Sequence, residues 1–198
     1  MARPALFLDR DGVINENRSD YVKSWQEVIF LPGAIEAIRR LNTSEFAIVI
    51  VTNQSAVGRG IVPFELAQAI NRQVVEQITA AGGRIDAWYM CPHHPQQGCE
   101  CRKPAPGLLL QAQRDLDLDL ASSYMIGDAY SDLQAAQAAG VRATLVLTGR
   151  GAEQLDDICS TSTLHYAIAA DLGAAIDQIL GHRWQAQPAN PGSAGSIR

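Results

Sequence analysis

Short apolar runs of strand length alternate with longer stretches of helical period along most of this chain, and that alternation most constrains its fold. The candidate strands are 5–8, 46–51, 87–90, 124–126, 144–147 and 164–167, with helical stretches near 33–41, 63–81, 106–116, 131–139 and 171–180. Pro32-Gly33 and Pro63 suit helix openings, because a first turn tolerates proline. Strands joined through helices are expected to pair in parallel, with both sheet faces covered. The pattern predicts a doubly wound, Rossmann-like α/β domain with a mostly parallel sheet.

Composition sets the bounds. At 198 residues and 47% hydrophobic the chain has material for one ordinary core. Its 16 Lys and Arg against 21 Asp and Glu give a net charge of −5, which offers no footprint for a polyanion and argues against nucleic acid as a partner. No apolar run approaches the ~20 residues of a membrane helix, so no membrane association is expected. The N-terminus meets Arg3 and Asp9 too early for a signal peptide, so a cytoplasmic location is expected. Past Trp184 the chain turns to Gln, Pro, Asn, Gly and Ser. Residues 1–184 are therefore expected to form the single domain, and 185–198 a disordered tail.

Ligands of open α/β sheets bind at the carboxyl ends of the strands, so the residues that follow each strand are informative. The first strand leads into Asp9-Arg10-Asp11-Gly12 and the second into Thr52-Asn53-Gln54-Ser55. The third enters a Cys/His segment ending in Arg102-Lys103, and the fourth leads into Gly127-Asp128 with Asp132 beyond. Three clustered carboxylates (Asp9, Asp11 and Asp128) demand a cation, and hard oxygen donors suit Mg²⁺. Beside Thr52 and Lys103, such a site would receive a phosphoryl group. No Walker loop is present. The remaining chemistry is attack by an aspartate, with a second carboxylate moving the proton; Asp9 and Asp11, two apart at a strand end, can divide those roles.

Cys91, Cys99 and Cys101 crowd around His93 and His94, whereas Cys159 stands alone. In an intracellular chain this crowding points to metal and not to disulfides. The pattern C-x-H-x5-C-x-C supplies four soft ligands for a tetrahedral, closed zinc site in a loop spanning 91–101. Such a staple would order a loop of low apolar content and fix the adjoining Arg102 and Lys103.

Phe7-Leu8-Asp9-Arg10-Asp11-Gly12-Val13, Ile50-Val51-Thr52-Asn53-Gln54-Ser55, Arg102-Lys103-Pro104 and Gly127-Asp128-Ala129-Tyr130-Ser131-Asp132 resemble the four ordered motifs of the haloacid dehalogenase superfamily of phosphatases. Within it, Cys-Pro-His-His-Pro and Cys-Glu-Cys-Arg-Lys-Pro resemble the branch that acts on heptose 1,7-bisphosphate, with histidinol phosphatases as the alternative. The resemblance implies a nucleophilic Asp9, Asp11 as general acid and base, and Thr52 and Lys103 holding the transferring phosphoryl group. It implies Mg²⁺ on Asp9, the Asp11 carbonyl and Asp128. It further implies substrate contacts from Asn53, Gln54, Ser55 and Arg102, and zinc on Cys91, His93, Cys99 and Cys101. Relatives often carry Lys where this chain has Ala129. Larger members insert a cap domain, for which the span from Asp9 to Thr52 leaves no room, so the open pocket is shaped by the loops 14–30 and 55–62 and by the zinc loop. Asn17, Tyr21 and Arg59 are candidates for sugar or second-phosphate contacts. The expected partner is a small phosphorylated sugar, and the expected assembly a monomer. A phosphoacceptor signalling module would carry its aspartate mid-chain on a later strand, and a non-enzymatic binding protein would have lost a catalytic position.

Overall fold

The computed structural model describes residues 2–161 and 163–187. Strands β1 (Arg3–Leu8), β2 (Ala47–Asn53), β3 (Ala87–Cys91), β4 (Leu118–Gly127), β5 (Arg142–Val146) and β6 (Tyr166–Ala169) form one sheet in the order β3-β2-β1-β4-β5-β6. Every neighbouring pair is parallel. The helices are α1 (Ala34–Arg39), α2 (Ser55–Gly58), α3 (Phe64–Ala80), α4 (Gly107–Leu116), α5 (Tyr130–Ala138), α6 (Gly151–Thr161) and α7 (Leu172–Leu180). This is the doubly wound α/β architecture that the alternation predicts.

The strands are apolar throughout because both faces of the sheet are covered. Leu6, Leu8, Ile48, Ile50 and Ile126 pack on one face against α1, α3 and α7. Phe7, Val49, Val51 and Met125 pack on the other against α4, α5 and Ile158 of α6. In α3 the buried residues Ala67, Ile70, Asn71, Val74 and Ile78 recur every three or four positions, as a one-sided helix requires.

The chain order reverses between β1 and β4, and there the site lies. Their register pairs Leu8 with Ile126, and the Asp9 N–H donates to the Ile126 carbonyl at 3.0 Å, so Asp9 and Asp128 emerge side by side.

Several elements depart from the sequence reading. Strand β4 begins at Leu118, well before 124, because its polar Ala-Ser-Ser stretch lies in a bulge. There Ser123 Oγ accepts from the Ala5 N–H at 2.8 Å. Strand β6 lies two residues later than expected, since pairing of Ala143 with Tyr166 sets its place. Helix α2 is one turn and too short to show a period, and α6 sets Leu155 and Ile158 against the core. Trp184 Nε1 donates to Thr144 Oγ1 at 3.1 Å, and the Gln187 N–H donates to the Tyr166 carbonyl at 2.7 Å. The chain thus stays attached past the expected boundary at 184; the rest of the predicted tail, 188–198, lies outside the described residues. No helix among the described residues is long and apolar enough to cross a membrane.

Between β1 and α1, residues 16–29 form a loop pinched at its base, where Asn15 bridges Phe30 and the Leu31 N–H donates to the Ile14 carbonyl at 3.0 Å. Arg18 and Lys23 each pair with both Asp20 and Glu27, which ties the loop to itself.

Candidate active site

Asp9 is 5% exposed and sits directly beyond β1. Lys103 Nζ lies 3.0 Å from Asp9 Oδ1 and 2.6 Å from Asp132 Oδ1, and it donates to the Val51 carbonyl at 2.9 Å. An ammonium with three donors thus meets three acceptors in a buried setting, the condition under which a buried charge is tolerated. Burial pushes Asp9 up to about 6, against the pull of Lys103 and with the push of Asp132 and Asp11. Burial pulls Lys103 down, but Asp132 and Asp9 outweigh it and hold the ammonium above its ordinary pKa.

Asp11 faces a different set of partners. The buried Arg10 guanidinium grips it through Nη2 at 2.9 Å to both oxygens, Asn15 donates to Oδ1 at 2.8 Å and Gln54 to Oδ2 at 2.7 Å. Arg10 is itself held by Asn71 at 2.7 Å. This fixes the Asp11 carboxylate beside Asp9 without placing it among the clustered carboxylates.

Those are Asp9, Asp128 and Asp132, each offering an oxygen within 4.8 Å of the others. Of the carboxylates expected to gather there, Asp9 and Asp128 do so with Asp132, while the Asp11 side chain turns to Arg10 and stands outside the cluster. Three hard oxygen donors this close fit a divalent cation. Asp128 is fully buried; burial and then Asp9 push its pKa up, while Arg150 pulls it down. Its Oδ2 accepts the Arg150 N–H at 2.9 Å. Gly12, with φ +91°, presses so closely that a Cβ there would stand 2.0 Å from Asp128 Oδ2. Asp132 opens α5, where its Oδ2 accepts the Ala129 N–H at 3.1 Å.

Asp9, Asp11 and Asp132 line a cleft of about 540 Å³, and so does every residue singled out for substrate contact: Asn17, Tyr21, Asn53, Gln54, Ser55, Arg59 and Arg102. Two of them already have protein partners. Asn53 pairs in both directions with the Lys103 main chain, at 3.0 and 3.2 Å, and so positions that lysine. Gln54 Nε2 bridges Thr52 Oγ1 at 2.9 Å and Asp11. Arg102 Nη1 is buried without a partner, as a group that awaits an anion would be. Tyr21 takes φ 66° and backs onto Ala56, Val62 and Ala67.

The sequence reading left Arg18 and Arg150 unassigned, and both line the cleft. Arg18 had only its place in the loop of Asn17 and Tyr21 to flag it. Arg150 had a clearer signal: Thr148-Gly149-Arg150 follows the fifth strand as the other motifs follow theirs.

The Cys91 sulfur lies 3.6 Å from His93 Nδ1 and 3.6 Å from the Cys99 sulfur, and the Cys101 sulfur lies 3.2 Å from His93 and 3.5 Å from Cys99. Zn–S bonds of ~2.3 Å and Zn–N bonds of ~2.0 Å at tetrahedral angles imply edges of roughly 3.5–3.8 Å, so the four donors fit. Burial, then the neighbouring Cys91 and Cys99, push the Cys101 thiol up to about 12. His94 instead accepts the Gln96 N–H at 3.2 Å.

The HAD-hydrolase-like family matches residues 100–175. The chain is 38% identical over 178 residues to the D-glycero-beta-D-manno-heptose-1,7-bisphosphate 7-phosphatase of Pseudomonas aeruginosa, covering 90% of this chain and 100% of that one. The chain belongs to the heptose bisphosphate phosphatase family of haloacid dehalogenase-like hydrolases. The Escherichia coli family member of the same name is 43% identical over 155 residues, which cover 74% of this chain and 81% of that one. The solved D,D-heptose 1,7-bisphosphate phosphatase of B. bronchiseptica, in complex with magnesium and phosphate, is 39% identical to this phosphatase. It covers 90% of this chain and 99% of its own, with a TM-score of 0.84.

Proposed function

We propose that this phosphatase removes the 7-phosphate of D-glycero-D-manno-heptose 1,7-bisphosphate through an aspartyl-phosphate on Asp9. The observation that carries the reading is the Asp9 carboxylate, 3.0 Å from the buried Lys103 ammonium and one of three clustered carboxylates, at the base of a cleft lined by Arg102 and Arg59. The names of the relatives at about 40% identity support the substrate.

Lys103 and Thr52 hold the transferring phosphoryl group. An Asp9 oxygen attacks phosphorus, the bond to the sugar oxygen breaks, and Asp11 gives that oxygen its proton. Asp11 then takes a proton from water, whose oxygen attacks phosphorus and releases Asp9 and inorganic phosphate. Mg²⁺ on Asp9, Asp128 and the Asp11 carbonyl, beside Asp132, would neutralise charge on the phosphoryl oxygens. Arg10, Asn15 and Gln54 keep Asp11 oriented, and Asp132 keeps Lys103 charged. Zn²⁺ on Cys91, His93, Cys99 and Cys101 would fix the loop that delivers Arg102 and Lys103. Asn17, Tyr21, Ser55, Arg59 and Arg102 are the residues offered to the sugar and its second phosphate, and the enzyme works as a cytoplasmic monomer.

The test is kcat/KM on heptose 1,7-bisphosphate, histidinol phosphate and fructose 1,6-bisphosphate. The heptose bisphosphate is expected to lead; a preference for histidinol phosphate refutes the substrate.

A further inference from the structure

Arg150 lines the cleft and takes no part in the reaction above. It stands between β5 and α6 and meets Asp128 through both main chain and side chain: its main-chain N–H donates to Oδ2 at 2.9 Å, and its guanidinium donates from Nη2 to Oδ1 at 3.3 Å and from Nε to Oδ2 at 3.5 Å. The two kinds of contact differ. The main chain fixes the carboxylate whatever the side chain does. The guanidinium belongs to a side chain 45% exposed, although its partner carboxylate is fully buried, so it can reach the cleft as well as Asp128. A cation placed there has another use.

We propose that Arg150 is a specificity-determining residue whose guanidinium exchanges between Asp128 and the substrate phosphate that is not transferred. The inference rests on the bisphosphate reading. Lys103 does not serve the second phosphate, because it lies 3.0 Å from Asp9 and is committed there to the phosphoryl group that is transferred. Arg18 is tied to Asp20 and Glu27 in its own loop. Arg59 and Arg102 also face the cleft and are offered to the sugar and its phosphate; Arg150 differs from them in that its guanidinium pairs with the buried Asp128. A divalent cation ligated by Asp128 cancels the charge that draws the guanidinium there, and a planar guanidinium suits a phosphate's paired oxygens. Asp128 keeps its main-chain partner throughout.

The experiment compares wild type, Arg150→Ala and Arg150→Lys in two measurements. The first is the preference for heptose 1,7-bisphosphate over heptose 7-phosphate, as a ratio of kcat/KM values. The second is Mg²⁺ binding without substrate, by calorimetry. In Arg150→Ala the preference falls about tenfold or more, as loss of a charge-assisted hydrogen bond implies, and Arg150→Lys recovers part of it. Mg²⁺ binds Arg150→Ala up to about fivefold more tightly, since a weak competitor for Asp128 is gone. An unchanged preference, or an equal loss on both substrates, overturns the inference. Weaker Mg²⁺ binding by Arg150→Ala also overturns it, because the guanidinium would then be what holds Asp128 in place. A wild type without preference for the bisphosphate refutes the substrate reading instead, and it does so before any substitution is made.

Discussion

Replacing Gly12 by alanine isolates how tightly the metal-binding carboxylate is packed. Gly12 holds φ +91°, and a Cβ on its backbone would meet Asp128 Oδ2 at 2.0 Å and Cγ at 2.5 Å. An L-residue in this region costs ~1–2 kcal/mol from backbone strain alone. The clash adds more, because Asp128 is buried and must turn from the Arg150 N–H that fixes it at 2.9 Å. Losing a hydrogen bond to a buried charge costs ~1.5–3 kcal/mol. The total of about 3–5 kcal/mol lowers Tm by roughly 6–20 °C for a domain of this size. Gly140→Ala is the matched control: its φ is +72°, but nothing lies within 4 Å of the added Cβ, so only the strain part applies. The assays are thermal unfolding of both variants and Mg²⁺ binding by calorimetry, with Gly12→Ala losing at least tenfold in affinity and Gly140→Ala unchanged. If Gly12→Ala melts no lower than Gly140→Ala and binds Mg²⁺ normally, the packing argument is wrong.

Three further outcomes are expected. Lys103→Met leaves Asp9 and Asp132 buried without their cation and destabilises by ~3–5 kcal/mol in urea unfolding; adding Asp132→Asn restores part of that stability but no activity, and a Lys103→Met protein as stable as wild type would contradict the ion-pair account. Asp9 attacks as a carboxylate and burial pushes it up to about 6, so activity is lost as pH falls through that value. The acid limb of kcat/KM should shift lower as Mg²⁺ rises, because a bound cation favours the charged form; a limb that ignores Mg²⁺ counts against Asp9 as a ligand. Elemental analysis should find about one zinc per chain, and chelation should lower Tm and expose thiols to a disulfide reagent; an active, equally stable zinc-free preparation excludes the staple.

Much of the fold was legible because burial on both faces forces continuous apolar strands such as 5–8 and 46–51, and those runs stand out in any order of reading. The elements that escaped are those whose signal is short or borrowed. Helix α2 is a single turn, α6 rests on the core through Leu155 and Ile158, and β6 is placed by its pairing with β5. At the site, Asp9 and Asp128 stand out because each follows a strand and the cysteine cluster because of its ligand spacing, whereas Lys103 takes its weight from the other motifs around it.

The order of strands and the residues that close them therefore determined where the chemistry collects and which chemical groups supply it. Tertiary structure decided how those groups are shared out. Asp11 turns to Arg10, Asn15 and Gln54, whereas Asp132, from the first turn of α5, shares Lys103 with Asp9. Asn53 serves the main chain of Lys103 and is not free for substrate alone. Arg150 reaches the cleft from the far end of β5. A sequence motif states which donors and acceptors are near one another along the chain; which of them satisfy each other is a competition among buried groups from separate strands, and only packing settles it.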